Sequence, residues 1–320
     1  MQALVFEQTG EAENVLALRE VTAPRPGPGQ ALVQVEVSPV HPADFSFVRG
    51  TYRIRPVFPQ VAGLSGAGRI VDVGAGLDLP PGTRVAFRAP GAWAELALAP
   101  RDRLYPIPDD VAADPGSEFP VNPITAWGLL QVARANPGDW ILLTAAASAV
   151  AELVAALAHA RGIRAIGVAR PASLAQLAPT VQGLAEDPHL AARVRELTSG
   201  EGVAALIDCV GGPLVPALFP ALRPGATLVS YGTLSPEPMT IKNADLVYGN
   251  LSWFGFGIDR WLSGLAPAEH ARMLDELWDG IRHGRLRLPL QARVPLRSFG
   301  DGLKMAVAGG HGKVHLVAQG

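Results

Sequence analysis

Cysteine is nearly absent: the 320 residues include one, Cys209. That excludes a disulfide framework and a cysteine-rich zinc lobe. The chain also has no basic run or stripe, and its net charge is only −2. Nucleic acid and anionic membranes are therefore poor partners, and a small molecule is the expected one. The opening MQALVFEQTGEAENVL has no charged leader, apolar core or cleavage site, so no secretory signal is read and a cytoplasmic location is expected. Residues 140–160 carry a single charge, Glu152, and look membrane-like by hydropathy. Alanine is only weakly apolar, however, and the preceding NPGDW is turn chemistry. Strand, turn and helix explain the run better than a membrane span.

Glycine and proline are plentiful by contrast, at 35 and 29 residues, which implies many turns. The length suits two lobes better than one core. Residues 1–118 read as short strands: QALVQVEVSPV alternates apolar and polar positions, and GAGRIVDVGAG and TRVAFRA follow, bounded by Gly or Pro. Such a pattern suggests a partly open barrel. Over residues 119–259, strand-like runs (WILLTAA, RAIGVAR, ALIDCVG, ATLVSYG, LSWFGFG) alternate with helix-length segments. That alternation argues for a parallel sheet with helices on both faces. A further strand is expected near PTVQGLA, where β-propensity is weak. Residues 260–320 give one long amphipathic helix and then strand, helix and strand, read as a return to the first lobe.

The most informative stretch is WILLTAAASAVAEL, residues 140–153. Val150, Leu153, Val154, Leu157 and Ala158 share one helical face, and Ser148 stands where it can cap that helix. A helix N-terminus directly after a strand is an anion site, because its free N–H groups and dipole point at the ligand. Dinucleotide turns use glycine here, whereas this chain has Ala149 and Ala151. By itself the motif fits either a cofactor turn or a packed Ala-rich helix. Arg170 ends RAIGVAR about 20 residues on, where an acid would bind a ribose hydroxyl and an arginine suits a 2′-phosphate. A surface arginine ahead of Pro171 is the plainer alternative. Together, turn and arginine lean towards NADPH.

The stretches HPADFSFVRGTY, PVFPQVAGLSGAGRIVDVG, FPVNPITAWGLL, PGDWILLTAAASAVAE, IDCVGG and HGKVHLV give the chain its resemblance. Along nearly its whole length it resembles the medium-chain dehydrogenase/reductase superfamily. It is most similar to the zinc-free branch of quinone oxidoreductases and mitochondrial-type trans-2-enoyl-thioester reductases. The resemblance implies a GroES-like β-barrel catalytic domain, a Rossmann doubly wound parallel-sheet domain with a cleft between them, and a homodimer joined through the Rossmann sheets. It implies that Tyr52, in RGTYR, is catalytic, and that Asn122 and Thr125 line the cleft near nicotinamide. It puts Ser148, Ala149, Val150 and Arg170 at the cofactor phosphates. Tyr231, Gly232 and Thr233, with Phe256, Gly257 and Ile258, fall on strand ends that border the nicotinamide. Lys313 falls near the cofactor, and Trp261 and Phe45 fall on the substrate pocket. Departures from the family pattern are Ala149 and Ala151 in the turn, Ser65 replacing the acid of a GxEG segment, and the region before EDPHL.

Zinc members of the superfamily need Cys and His ligands. Here Cys209 is expected to pack at a strand end and His41, alone beside Pro42, to be structural, so no metal is expected. GLSGAG resembles a hydrolase elbow but lacks the strand–turn–helix context. Tyr52 beside Arg49 and Arg53 reads either as a proton donor or as a surface aromatic stacked on a cation. The sequence thus points to NADPH-dependent reduction of an activated C=C bond, in an enoyl thioester or enone. A quinone reductase, or a non-catalytic relative binding another ligand, is the alternative.

Overall fold

The structure, a computed structural model, describes residues 1–318. Contacts divide the chain into two compact units: Met1–Val121 with the chain from Arg287 onward, and Asn122–Leu286.

Unit 1 is built around the long strand Gln30–Pro39, the alternating stretch of the sequence. It is hydrogen-bonded to Gly66–Val73, Leu96–Pro100 and Lys313–Val317 in a seven-stranded sheet. The sheet continues through Arg84–Phe87 to Leu104–Pro106 on one side and Leu290–Pro295 on the other. Val33, Val35, Ile70, Val85 and Phe87 fill one core, and Leu4, Phe6, Phe47, Trp93 and Leu316 fill a second. Gly68 lets neighbouring strands close: a Cβ there would lie 1.9 Å from the Gln34 carbonyl oxygen. The short helix Pro42–Val48 begins with proline, and the Asp44 carboxylate accepts from the His41 N–H at 2.7 Å.

Unit 2 holds six parallel strands, β1 (Trp140–Leu143), β2 (Arg164–Ala169), β3 (Val181–Ala185), β4 (Val203–Asp208), β5 (Leu222–Ser230) and β6 (Ser252–Gly255). Their order is β3-β2-β1-β4-β5-β6, the Rossmann order, which reverses direction between β1 and β4. β3 forms in the weak PTVQGLA region because it is an edge strand. Of its five residues only Leu184 is buried, so little apolar surface is required. Helix α1 (Asn122–Ala133) is buried nearly all round, and α2 (Ala149–Ala160) follows β1. Helix α3 (Pro267–Arg282) buries Met273, Leu277 and Gly280 at helical spacing. Residues 260–286, grouped by the sequence with the return to the first lobe, cluster with unit 2. The reason is polar as well as apolar: the Trp127 indole N–H of α1 donates to Glu276 of α3 at 2.7 Å, and Arg161 donates to the same carboxylate at 2.9 Å.

Candidate functional site

In unit 2 the candidate residues collect at the C-terminal ends of the strands, where open parallel sheets bind ligands. β1 runs into Thr144, whose hydroxyl donates to Asp208 at 2.7 Å and accepts from the Cys209 N–H at 3.1 Å. Asp208, fully buried at the end of β4, also accepts from the N–H groups of Val210 and Gly211, each at 3.0 Å. One carboxylate therefore ties together the two strands that flank the reversal point.

The turn after β1 is made without glycine. Ala145 adopts a left-handed backbone, φ +45°, the conformation glycine usually supplies. The Ala146 N–H then donates to the Val168 carbonyl at 2.9 Å, crossing over β2 at Gly167. A Cβ on Gly167 would come within 2.6 Å of the Ala146 methyl. Sequence reading placed the glycine substitutes at 149 and 151, whereas the left-handed residue is 145. Ser148 caps α2, its hydroxyl accepting from the Ala151 N–H at 3.4 Å. Ala149 and Val150 are the first helical residues, and N–H groups at that point have no intrahelical acceptor.

Arg170 is exposed just beyond β2, and its carbonyl accepts from the Ser173 N–H at 2.8 Å. Its guanidinium has no hydrogen bond or ion pair among the described residues. Tyr231 follows β5. Burial, above all, raises its phenol pKa well above the ordinary value, and contact with Cys209 acts in the same sense while Ser148 opposes. Gly232 is required by close approach, since a Cβ there would lie 2.7 Å from Cys209; Thr233 beside it is exposed. Phe256 follows β6, its N–H donating to the Ser230 carbonyl at 2.8 Å, and Gly257 and Ile258 begin a short helix behind it. Phe256 and Trp127 each pack on Trp261 with ring centroids 5.7 Å apart. Gly128 makes room for this trio, as a Cβ there would be 2.7 Å from the Phe256 ring. Asn122 and Thr125 are buried in the first turn of α1.

Unit 1 carries Tyr52, Phe45 and Lys313. The Tyr52 N–H donates to the Ser46 carbonyl at 3.0 Å, and its ring, like that of Phe45, packs against the cluster that holds Leu4, Phe6 and Phe47. Arg53 stacks over the ring at 5.1 Å, whereas Arg49 turns away to a bidentate pair with Glu11. Tyr52 thus has its cation–π partner, yet it is only half-buried. Lys313 opens the strand beside Gln30–Pro39. Burial lowers its ammonium pKa, while the Glu118 and Asp44 carboxylates pull it back up.

Residues 149–277 match the family described as zinc-binding dehydrogenase, and residues 27–109 match the alcohol dehydrogenase GroES-like domain. The mitochondrial enoyl-acyl-carrier-protein reductase of Bos taurus is 30% identical over 313 residues, 93% of this chain and 83% of that protein. The chain is a medium-chain dehydrogenase/reductase. Among solved members, a mycobacterial quinone oxidoreductase shares 28% identity with a TM-score of 0.87 over 99% of both chains. A mycobacterial protein solved with NADPH shares 27% identity with a TM-score of 0.88, over 99% of this chain and 100% of that one.

In this dehydrogenase/reductase the barrel carries a buried histidine beside a buried serine. The His41 imidazole nitrogen Nε2 lies 3.2 Å from the Ser65 hydroxyl. Burial above all, then Lys313 and His315, hold the His41 pKa well below the ordinary value, so the ring is neutral near pH 7. Among the described residues no group of three or more His, Cys, Asp and Glu side chains is placed to hold a metal ion. Two features of this family member escaped sequence reasoning. The Asp208 hub gives no spacing signature, its only trace being the glycine pair Gly211 and Gly212, both with positive φ. The left-handed Ala145 is hidden in a run of alanines.

Proposed function

We propose that this dehydrogenase/reductase is an NADPH-dependent reductase of an activated C=C bond, in an enoyl thioester or an enone. The observation that carries the reading is in unit 2. A serine-capped helix N-terminus and an arginine without a partner among the described residues stand at the ends of adjacent parallel strands. The enoyl reductase relative and the NADPH-bound structural neighbour support the same reading. The residues present fit that cofactor. The N–H groups of Ala149 and Val150, with Ser148, offer a pyrophosphate cradle. Arg170 offers a bidentate fork to a 2′-phosphate. When bound, NADPH supplies a hydride to the β-carbon of the alkene. Tyr52 supplies the proton to the α-carbon. The family resemblance would set Asn122, Thr125, Tyr231 and the Phe256–Ile258 segment at the nicotinamide, Lys313 near the cofactor, and Trp261 and Phe45 at the substrate. The neighbour named as a quinone oxidoreductase keeps quinones as the second substrate class to assay.

Arg170→Ala is expected to weaken NADPH binding about 10- to 100-fold, the worth of one or two charge-assisted hydrogen bonds, and to leave NADH affinity nearly unchanged. Fluorescence titration with both nucleotides reads it, and equal losses for the two remove Arg170 from the phosphate site.

The second copy in the proposed homodimer pairs along β6. All four residues of that edge strand are exposed, and Val247, Tyr248, Trp253 and Phe254 leave apolar surface uncovered beside it. Sedimentation at twice the chain mass, reduced to the single-chain value by Val247→Asp with Tyr248→Asp, is the expected result. A wild-type monomer at micromolar concentration contradicts the pairing.

A further inference from the structure

In the sheet of unit 1 the strand Lys313–Val317 runs between Gln30–Pro39 and Leu290–Pro295. Strand alternation sends Val314 and Leu316 into the apolar core with Leu303, and sends Lys313 and His315 to the opposite face. His315 is 1% exposed, and each of its ring nitrogens meets a carboxylate. Nδ1 lies 2.9 Å from Asp114 Oδ1, and Nε2 lies 3.4 Å from Glu118 Oε1. The two acids stand about one turn apart on the short helix Ala113–Glu118 and so share a face. Arg293, at the exposed end, forks onto Asp114.

A neutral imidazole offers one donor and one acceptor, whereas carboxylates only accept. Two carboxylates therefore favour the imidazolium. Burial opposes that charge most, but the bonds to Asp114 and Glu118 outweigh it and raise the His315 pKa. The ring thereby holds a fully buried Glu118 carboxylate inside unit 1.

Lys313 shares this face, and it is the charge of Glu118, then of Asp44, that opposes the effect of burial on its ammonium. Neither acid pairs with it. The Lys313 ammonium makes no hydrogen bond or ion pair among the described residues. Burial above all pushes Asp44 up to about 7, against the N–H groups of His41 and Leu64 and the charge of Lys313. The His41 ring completes the face and is neutral near pH 7. The helix Phe299–Ala308 packs on the Leu316 side, and its Asp301 and Lys304 are exposed. Glu118, His315, Asp44 and His41 are buried, whereas Lys313 is partly exposed. An ammonium whose charge is compensated at a distance keeps its N–H donors for a ligand.

We infer that Glu118, held by His315, is a positioning residue that presents Lys313 as an ammonium to an anionic group of the cofactor. The inference deepens the reductase reading, on which it rests for placing cofactor at Lys313.

The chain has only three lysines, Lys242, Lys304 and Lys313, so lysine labelled with 13C at Cε gives three resonances to follow. Lys313→Arg assigns the third. Saturating NADPH is expected to shift the wild-type Lys313 resonance and to leave Lys242 and Lys304 unmoved. In Glu118→Gln without nucleotide, the Lys313 titration midpoint falls by about one pH unit, a tenfold loss of proton affinity. The alkaline loss of NADPH affinity, read by fluorescence titration, sets in correspondingly earlier, while binding at about pH 6.5 is no weaker. Lys313→Arg flattens that alkaline loss, because arginine keeps its proton. Glu118→Thr, with a smaller side chain, carries the same test should Glu118→Gln fail to fold. A Lys313 midpoint that the Glu118 variants leave in place overturns the inference. So does NADPH binding that leaves the Lys313 resonance unshifted, and the reductase reading survives both results. If the wild type binds no NADPH, the reductase reading fails and inorganic pyrophosphate becomes the probe. A Lys313 resonance shifted by pyrophosphate, and less so in Glu118→Gln at alkaline pH, upholds the anion role, and an unshifted one overturns it.

Discussion

Tyr52→Phe is expected to lower kcat on an enoyl thioester by about 10²–10⁴-fold, the usual contribution of a positioned proton donor. The effect is confined to the chemical step because the substitution removes one oxygen and nothing else. The ring keeps its packing on the Phe6 and Phe47 cluster and its stacking under Arg53. Nucleotide affinity, read by fluorescence titration, therefore stays within about twofold, since an interaction made only in the transition state leaves binding unchanged. Steady-state kinetics decide the matter. A rate within about twofold of wild type assigns the proton to another group.

Asp208→Ala is expected to cost about 3–5 kcal/mol of stability, because it strands the Thr144 hydroxyl and the N–H groups of Val210 and Gly211 at a buried position. The carboxylate has no exposure to water that could take over as acceptor. Urea denaturation followed by tryptophan fluorescence measures the loss. Asp208→Asn serves as the graded control, since its amide oxygen keeps part of the acceptor capacity and its cost is expected near 1–2 kcal/mol. Losses below about 1 kcal/mol for the alanine variant show that the three donors find other partners.

The hub explains why the two ends of the site were unequally legible in the sequence. Runs such as WILLT, RAIGVA and ALIDCV announce buried parallel strands because both faces must be apolar. Ser148 and Arg170 are legible because capping and charge depend on local order: one stands before a helix, the other after a strand. Asp208 works through partners more than sixty positions away in the chain as well as local ones, and one acid in DCVGG carries no period that would reveal it. Helix α3 shows the limit from another side. Its amphipathic pattern is plain, but a pattern states that a face is buried and not what covers it. The bonds that Trp127 and Arg161 make to Glu276 show that its cover lies in unit 2.

The left-handed backbone at Ala145 has a consequence for how this protein can change. An alanine held there costs about 1 kcal/mol relative to a relaxed conformation, a small share of the roughly 5–15 kcal/mol by which domains are stable. Every alanine codon becomes a glycine codon by a single base change. The conformation that dinucleotide turns give to glycine therefore lies one mutational step from the present sequence. Selection for heat resistance has a short path at position 145: one base, no atom added, and a turn that relaxes by the loss of a methyl group.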